Sequence, residues 1–256
     1  MREIGASAVR GNHEDAVLHT WAEMEKVDEA RGRGKDGKEG KQGKKEGKAE
    51  ALARQLSRRD IEFIRSWPVI LDLGPLGHAQ GERSRELQAG PESNAGETDT
   101  EVSETSKNKK EHKKHKKHKK HNPWTPAHAS VVHAGLCPGL PLSSQDPFQV
   151  MNMRSISVHS PHHHNSSHHN KKVYTPSASR DDGEKWHTVW NAYQASLPPE
   201  QRRLVVYGHD SKQGLVEKEW SVGLDSGCVK GGRLSALVVE GGGMGVESVR
   251  AERDWT

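Results

Sequence analysis

Three short apolar runs in this chain each lead into a loop that contains glycine and histidine. The runs and their loops are residues 6–9 before Gly11-Asn12-His13, residues 131–132 before His133-Ala134-Gly135, and residues 204–207 before Gly208-His209. We predict a strand for each run, and loops at strand ends are where a rigid scaffold presents functional side chains. The pattern therefore predicts an α/β fold in which Asn12, His133 and His209 meet at one metal ion. Amide oxygen and neutral imidazole suit zinc, manganese or iron, so the ligand types leave the metal open.

The order of these motifs resembles that of the calcineurin-like metallophosphoesterases. A fourth segment, residues 223–237, reads Gly-Leu-Asp-Ser-Gly-Cys-Val-Lys-Gly-Gly-Arg-Leu-Ser-Ala-Leu and is similar to the signature that closes the family's fold. The branch it resembles most contains the serine/threonine protein phosphatases, the symmetrical diadenosine tetraphosphate hydrolases and the fungal zinc-dependent endopolyphosphatase-like proteins. Any one motif is equally compatible with an ordinary turn or a hydrogen-bonded loop histidine, but four in this order favour the family.

The resemblance implies a fold, an activity and a set of site residues. The fold would be a partial four-layer α/β/β/α sandwich, and the activity would be metal-dependent hydrolysis of a phosphate ester or phosphoanhydride. Asn12, His133 and His209 would bind the second of the family's two divalent metals (Zn, Mn or Fe). His13 would be the general acid beside the leaving group. We expect the three ligands to approach one point, with His13 at its rim.

Two motifs of the family are missing from the sequence. It contains neither Asp-x-His nor Gly-Asp, which in the family supply the bridging aspartate and the ligands of the first metal. Because Asn12 lies so close to Met1, we expect the first strands to be lacking, through a truncated gene model or loss in a degenerate paralogue. At most one partial metal site is then expected. Activity of this chain should be impaired, since two metals together activate water and neutralise the phosphoryl oxygens.

Arg10 and Arg154 are candidate phosphate contacts, because a guanidinium group matches the geometry of phosphate oxygens. For Arg10, a solvated or salt-bridged side chain is an equally good interpretation. Arg154 ends the stretch Met151-Asn152-Met153-Arg154, which resembles the fungal members and favours substrate contact. The substrate stays open among phosphoprotein, dinucleoside polyphosphate and inorganic polyphosphate, and residues 133–154 favour the endopolyphosphatase-like group.

Polar, low-complexity tracts interrupt the apolar segments. Of the 256 residues, 31% are hydrophobic and 29% are charged, and the mean hydropathy is −0.94. We expect disorder at residues 28–48, 79–121 and 159–170, because such tracts cannot bury enough apolar surface to offset their ordering entropy. One incomplete domain would then span residues 1–240 around these inserts, and residues 241–256 would form a disordered tail.

The inserts suggest an alternative function. Residues 113–121 repeat Lys-Lys-His, and residues 107–120 hold nine lysines and one glutamate. Such a cationic string can bind polyanions by counterion release, and the histidines of residues 162–164 and 168–169 can bind transition metals. The alternative is therefore a non-enzymatic remnant or a polyanion-binding protein that works through its Lys/His tracts. Solvated insertions without a function explain the same tracts more simply.

The hydrophobic periodicity predicts further elements. A helix capped by Asp15 should continue to residue 27, and a second helix, with Leu52 and Ile61 on its apolar face, should occupy residues 49–70. The other predicted elements are a strand at residues 69–73, a helix at 186–194 and strands at 204–207, 221–225 and 233–239.

Cysteine content and hydropathy bear on the compartment. Cys137 and Cys228 are too few for a disulfide framework, so a reducing, cytoplasmic compartment is the default. Resemblance to the fungal group would instead imply the vacuole, and the location stays open. No apolar run approaches the roughly 18 residues that a membrane span needs.

Overall fold

The computed structural model describes residues 4–32, 47–75, 128–160, 172–240 and 243–255. These ranges form a mixed α/β arrangement with three sheets. The helices are α1 (Asn12–Gly32), α2 (Lys48–Ala53), α3 (Arg58–Arg65), α4 (Pro147–Asn152) and α5 (Trp186–Ala195). The strands are β1 (Ile70–Pro75), β2 (His128–Val132), β3 (Ser155–His159), β4 (Val173–Ser177), β5 (Glu184–Lys185), β6 (Arg203–Tyr207), β7 (Val216–Lys218), β8 (Ser221–Gly223), β9 (Arg233–Glu240) and β10 (Gly243–Arg250).

A five-stranded sheet with the order β1-β2-β6-β8-β7 forms the centre of the fold. Strands β2, β6 and β8 are parallel, and β1 and β7 pair antiparallel at the two edges. Strand β6 reads as a continuous apolar run because both of its faces are covered. Val205 packs with Trp186 on one face, whereas Leu204 and Val206 pack with Leu237 on the other. Since β2 and β6 are parallel neighbours, the loops that follow them leave from the same end of the sheet, at the carboxyl ends of these strands.

The remaining strands form two smaller sheets. Strands β4, β3 and β5 form a three-stranded antiparallel sheet, and β9 and β10 form a two-stranded hairpin. The α/β class predicted from the sequence is confirmed. The four-layer arrangement of the resemblance stays a prediction.

The segment before the first motif differs from its prediction. Residues 6–9 are extended but form no strand, and the backbone N–H of Arg10 donates to the Pro68 carbonyl at 2.9 Å. Small side chains such as Ala6 and Ala8 give this run little tendency to pair. Helix α1 then begins at Asn12, so Asp15 lies within its first turn and is not its cap. The helix also continues beyond residue 27, to Gly32.

The predicted helix at residues 49–70 is divided in two. Ser57 caps α3: its side chain accepts from the Asp60 N–H, and the Asp60 carboxylate accepts from the Ser57 N–H in return. This capping box starts a new helix where a continuous one was expected. Ile61 is buried against α1 as predicted, whereas Leu52 is 46% exposed.

Most of the other predicted elements are confirmed. The expected strand at 69–73 is β1, the helix at 186–194 is α5, and the strands at 204–207, 221–225 and 233–239 are β6, β8 and β9. The prediction for the tail is wrong, because residues 243–250 form β10. Met244 and Val246, two residues apart, both face inward and pack with Leu237 against the central sheet. Their neighbours Gly243 and Gly245 obscured this period of two in the sequence.

The predicted inserts fall largely outside the described residues. Residues 28–32 belong to α1, Lys48 begins α2 and His159 ends β3. Apart from Gly47 and Ser160, the remainder of the inserts at 28–48 and 159–170, and the whole insert at 79–121, lie beyond the described ranges. Within those ranges, no helix is long and apolar enough to cross a membrane.

Candidate metal centre

Three side chains from the predicted motifs meet where β2 and β6 end. The Nε2 atom of His133 lies 2.8 Å from Asn12 Oδ1 and 3.2 Å from His209 Nδ1. Asn12 and His133 are 121 residues apart in the sequence, and His133 and His209 are 76 apart. The structure therefore places one oxygen and one nitrogen atom within hydrogen-bonding distance of His133 Nε2. Their role as ligands remains a prediction.

The sheet explains why the two histidines meet. His133 directly follows β2 and His209 follows β6, and the register pairs Val131 with Val206. The backbone N–H of Gly208 donates to the His133 carbonyl at 2.9 Å, which joins the two loops. Parallel neighbouring strands thus deliver both imidazoles to the same edge, as expected for functional loops in an α/β sheet.

Gly11 allows the third side chain to approach. A Cβ atom at this position would lie 2.6 Å from His133 Nδ1 and 2.8 Å from Glu14 Oε2. Only the absence of a side chain leaves room for the imidazole there. The Glu14 carboxylate accepts the Gly11 N–H at 3.0 Å, which secures the start of α1 beside Asn12.

The hydrogen bonds define which nitrogens carry protons. His209 Nε2 lies 3.2 Å from the Asn152 carbonyl, and a carbonyl only accepts, so Nε2 bears the proton and Nδ1 presents a lone pair. Asn12 Oδ1 is also an acceptor, so His133 Nε2 donates its proton toward it. The proton on His133 Nε2 therefore lies toward Asn12 Oδ1, and a cation bound to both atoms would replace it.

Burial keeps both imidazoles neutral, which is the form that binds metals. It lowers the pKa of His133, and it lowers the pKa of His209 from 6.5 to about 4. The positive charge of Arg154 adds to the effect on both rings.

The donor set fits a divalent metal. Ligand atoms 2.0–2.1 Å from a tetrahedral zinc ion are about 3.3 Å apart, close to the 2.8 and 3.2 Å separations here. No group of three or more His, Cys, Asp or Glu side chains in the described ranges could hold a metal ion. A site among these residues therefore depends on the amide oxygen of Asn12.

The other predicted site residues lie close in sequence to residues of this group, Arg10 and His13 beside Asn12, and Arg154 two residues after Asn152. His13 is exposed on the first turn of α1, and its charge lowers the pKa of His133. Arg154 precedes β3; its Nη1 donates to the Ala178 carbonyl at 3.0 Å, while its buried Nε has no hydrogen-bond partner among the described residues. Arg10 lies 3.4 Å from the Asp15 carboxylate, which corresponds to the salt-bridged interpretation.

Sequence reasoning missed the acidic residues around the histidines. The negative charge of Asp225 raises the pKa of His133 against the effect of burial. Asp210 follows His209 and pairs with Arg180. Arg180 and Asp210 are 30 residues apart in the sequence, and no local motif links them.

Two relatives were found by comparison with known proteins, and no family model matches the chain. A zinc-dependent endopolyphosphatase of Saccharomyces cerevisiae is 28% identical over 111 residues, which cover 42% of this chain and 30% of the yeast protein. The crystal structure of a candidate diadenosine tetraphosphatase superposes with a TM-score of 0.51 at 23% identity, covering 98% of this chain and 70% of that one.

Both relatives are of the metallophosphoesterase type, so the resemblance recognised in the motifs is confirmed. The structural match supports the fold, and the yeast relative supports the use of a divalent metal among similar proteins. The matched segment spans less than a third of the yeast protein.

Proposed function

We propose that this chain forms a phosphate-binding metal site and acts, with impaired activity, as a metal-dependent hydrolase of phosphate esters or phosphoanhydrides. The observation that carries the proposal is the convergence of Asn12 Oδ1, His133 Nε2 and His209 Nδ1 on one point. These residues would hold one divalent ion, and zinc is favoured because the yeast relative is zinc-dependent. A bound zinc ion would act as a Lewis acid toward a phosphoryl oxygen.

Arg154 is the residue best placed to bind the phosphate group. Its positive charge lowers the pKa of both His133 and His209, which supports a place for Arg154 near the proposed metal-binding residues. Its buried Nε has no partner among the described residues, and an unpaired donor of this kind is costly unless a ligand satisfies it. Arg10 Nε is also buried without a hydrogen-bond partner among the described residues, but Arg10 would have a smaller role, because the Asp15 carboxylate 3.4 Å away already balances its charge.

His13 would donate a proton to the leaving oxygen. It is exposed at the start of α1, next to Asn12, so substrate can reach it without entering the buried group of ligands. A positioned proton donor typically contributes about 10²–10⁴-fold to the rate.

The substrate we favour is inorganic polyphosphate, with phosphoprotein as the other candidate. The name of the yeast relative supports this choice, and the cationic tracts of the sequence suit a polyanion. The comparisons do not favour a purely non-enzymatic polyanion-binding protein.

Calorimetric titration with zinc tests the proposal. The wild-type chain should bind one more zinc ion than an Asn12→Ala variant, and a His159→Ala variant should match the wild type, since His159 is exposed in β3. The Asn12→Ala variant and the wild type carry the same histidines in the tracts, so zinc bound there cancels in the comparison between these two proteins. Equal binding by the wild type and Asn12→Ala would refute the metal site.

A further inference from the structure

The loop that carries His209 has an unusual backbone conformation. His209 is the one non-glycine residue with positive φ in the described part of the chain, at 68°. A non-glycine residue in this region is strained and persists only where its surroundings hold it. The loop therefore needs neighbours that fix it.

Asp210 provides the first of these contacts. Its side chain is buried, and its carboxylate accepts from Arg180 Nε at 3.2 Å and from Arg180 Nη2, so the pair is bidentate. Its backbone N–H donates to the Gly208 carbonyl at 2.8 Å across His209. Asp210 therefore links the backbone turn at His209 to the contacts that its own carboxylate makes.

A second set of contacts joins this loop to α5. Gln213 donates from Nε2 to the Asp210 carboxylate at 3.5 Å, and its backbone N–H bonds to the Asp210 carbonyl at 2.9 Å. His187 of α5, which is 4% exposed, donates from Nε2 to Gln213 Oε1 at 2.9 Å. Asp210 is therefore held from two sides, by Arg180 and by Gln213.

We propose that Arg180 is a positioning residue that, through its bidentate bond to Asp210, holds the His209 imidazole in its metal-binding orientation. The proposal rests on the proposed function, in which His209 binds zinc. Among the described residues, the guanidinium of Arg180 bonds to Asp210 and forms no hydrogen bond to Asn12, His133 or His209. A lysine in its place would keep the charge but lose the two parallel hydrogen bonds.

A merely stabilising ion pair would have different consequences. Removing such a pair would lower the unfolding temperature and leave the geometry of His209 and its metal affinity unchanged. Removing a residue that orients a ligand typically weakens metal binding by about 10–100-fold. Metal affinity and the state of the His209 ring therefore separate the two roles.

The test compares Arg180→Ala and Arg180→Lys with Arg58→Ala in the full chain. Arg58 forms an exposed ion pair with Glu62 on α3 and serves as the matched control. Zinc affinity is measured by calorimetry, and the tautomer of His209 is measured in the metal-free chain by nitrogen-15 NMR. We expect Arg180→Ala to weaken zinc binding at least tenfold and to give a mixture of His209 tautomers, with a smaller effect for Arg180→Lys. Arg58→Ala should match the wild type in both.

Unchanged zinc affinity and an unchanged single His209 tautomer in Arg180→Ala would overturn the proposal, whatever the unfolding temperature. If Arg180→Ala does not fold, the same two readouts on Arg180→Lys decide. If the wild-type chain binds no zinc at the three ligands, the proposed function fails by itself. The NMR comparison then decides whether Arg180 positions His209.

Discussion

Replacing Gly11 with alanine should displace His133 although none of the three proposed ligand residues is itself replaced. A Cβ atom at Gly11 would lie 2.6 Å from His133 Nδ1, whereas carbon and nitrogen atoms in ordinary contact are about 3.5 Å apart. The imidazole must therefore move by nearly 1 Å or the start of α1 must shift. Overpacking of this kind costs about 1–3 kcal/mol of the free energy of unfolding.

Gly47→Ala is the matched control for this substitution. Gly47 also directly precedes a helix, α2, but a Cβ there would meet nothing within 4 Å. Both variants lose the same backbone freedom in the unfolded chain, so the difference between them isolates the contact with His133.

The assays are thermal unfolding of the metal-free chain and calorimetric titration with zinc. We expect Gly11→Ala to unfold at a lower temperature than Gly47→Ala, by about 2–4 °C for each kcal/mol lost, and to bind zinc more weakly. If Gly11→Ala matches Gly47→Ala in both assays, the close approach of Gly11 to His133 has no energetic importance and the reasoning is wrong.

Three other predictions follow from the site. Because burial lowers the pKa of His209 from 6.5 to about 4, the unfolded chain takes up a proton below pH 6.5 that the native chain refuses, so native stability should fall between these values. Urea unfolding at pH 7 and pH 5 should show this loss, and His209→Gln should reduce it; an equal loss in both proteins would contradict the assignment. Any polyphosphate hydrolysis should fall about 10²–10⁴-fold in His13→Ala, at unchanged zinc affinity, while the exposed His19→Ala on the same helix has no effect. Arg154→Gln should weaken the competition of inorganic phosphate with polyphosphate for the zinc-loaded protein. Unaltered competition would exclude Arg154 as a phosphate contact.

The approach of His133 to His209 could be predicted from the sequence, because it follows from the pairing of two neighbouring parallel strands. Two apolar runs became parallel neighbouring strands, and each delivered its histidine, His133 or His209, to the same sheet edge. The start of α1 was harder to predict. Residues 6–9 could form a strand only if another strand paired with them. The structure shows instead a backbone hydrogen bond just after the run, from the Arg10 N–H to the Pro68 carbonyl.

The contacts that support the histidines were not visible in the sequence. Arg180 and Asp210 form an ion pair through tertiary packing, and neither lies at a spacing that suggests the other. Strand β10 was missed for a local reason, since Gly243 and Gly245 interrupt the apolar alternation that packing on Leu237 completes. Long-range pairs and glycine-rich strands thus mark where periodicity alone fails.

Anomalous diffraction at the zinc absorption edge tests the central claim most directly. Crystals of the full chain grown with zinc should show a peak about 2.0–2.2 Å from Asn12 Oδ1, His133 Nε2 and His209 Nδ1. That peak should disappear in crystals of Asn12→Ala. Zinc peaks found only elsewhere in the chain, with His133 Nε2 still hydrogen-bonded to Asn12, would contradict the assignment of these three residues as metal ligands.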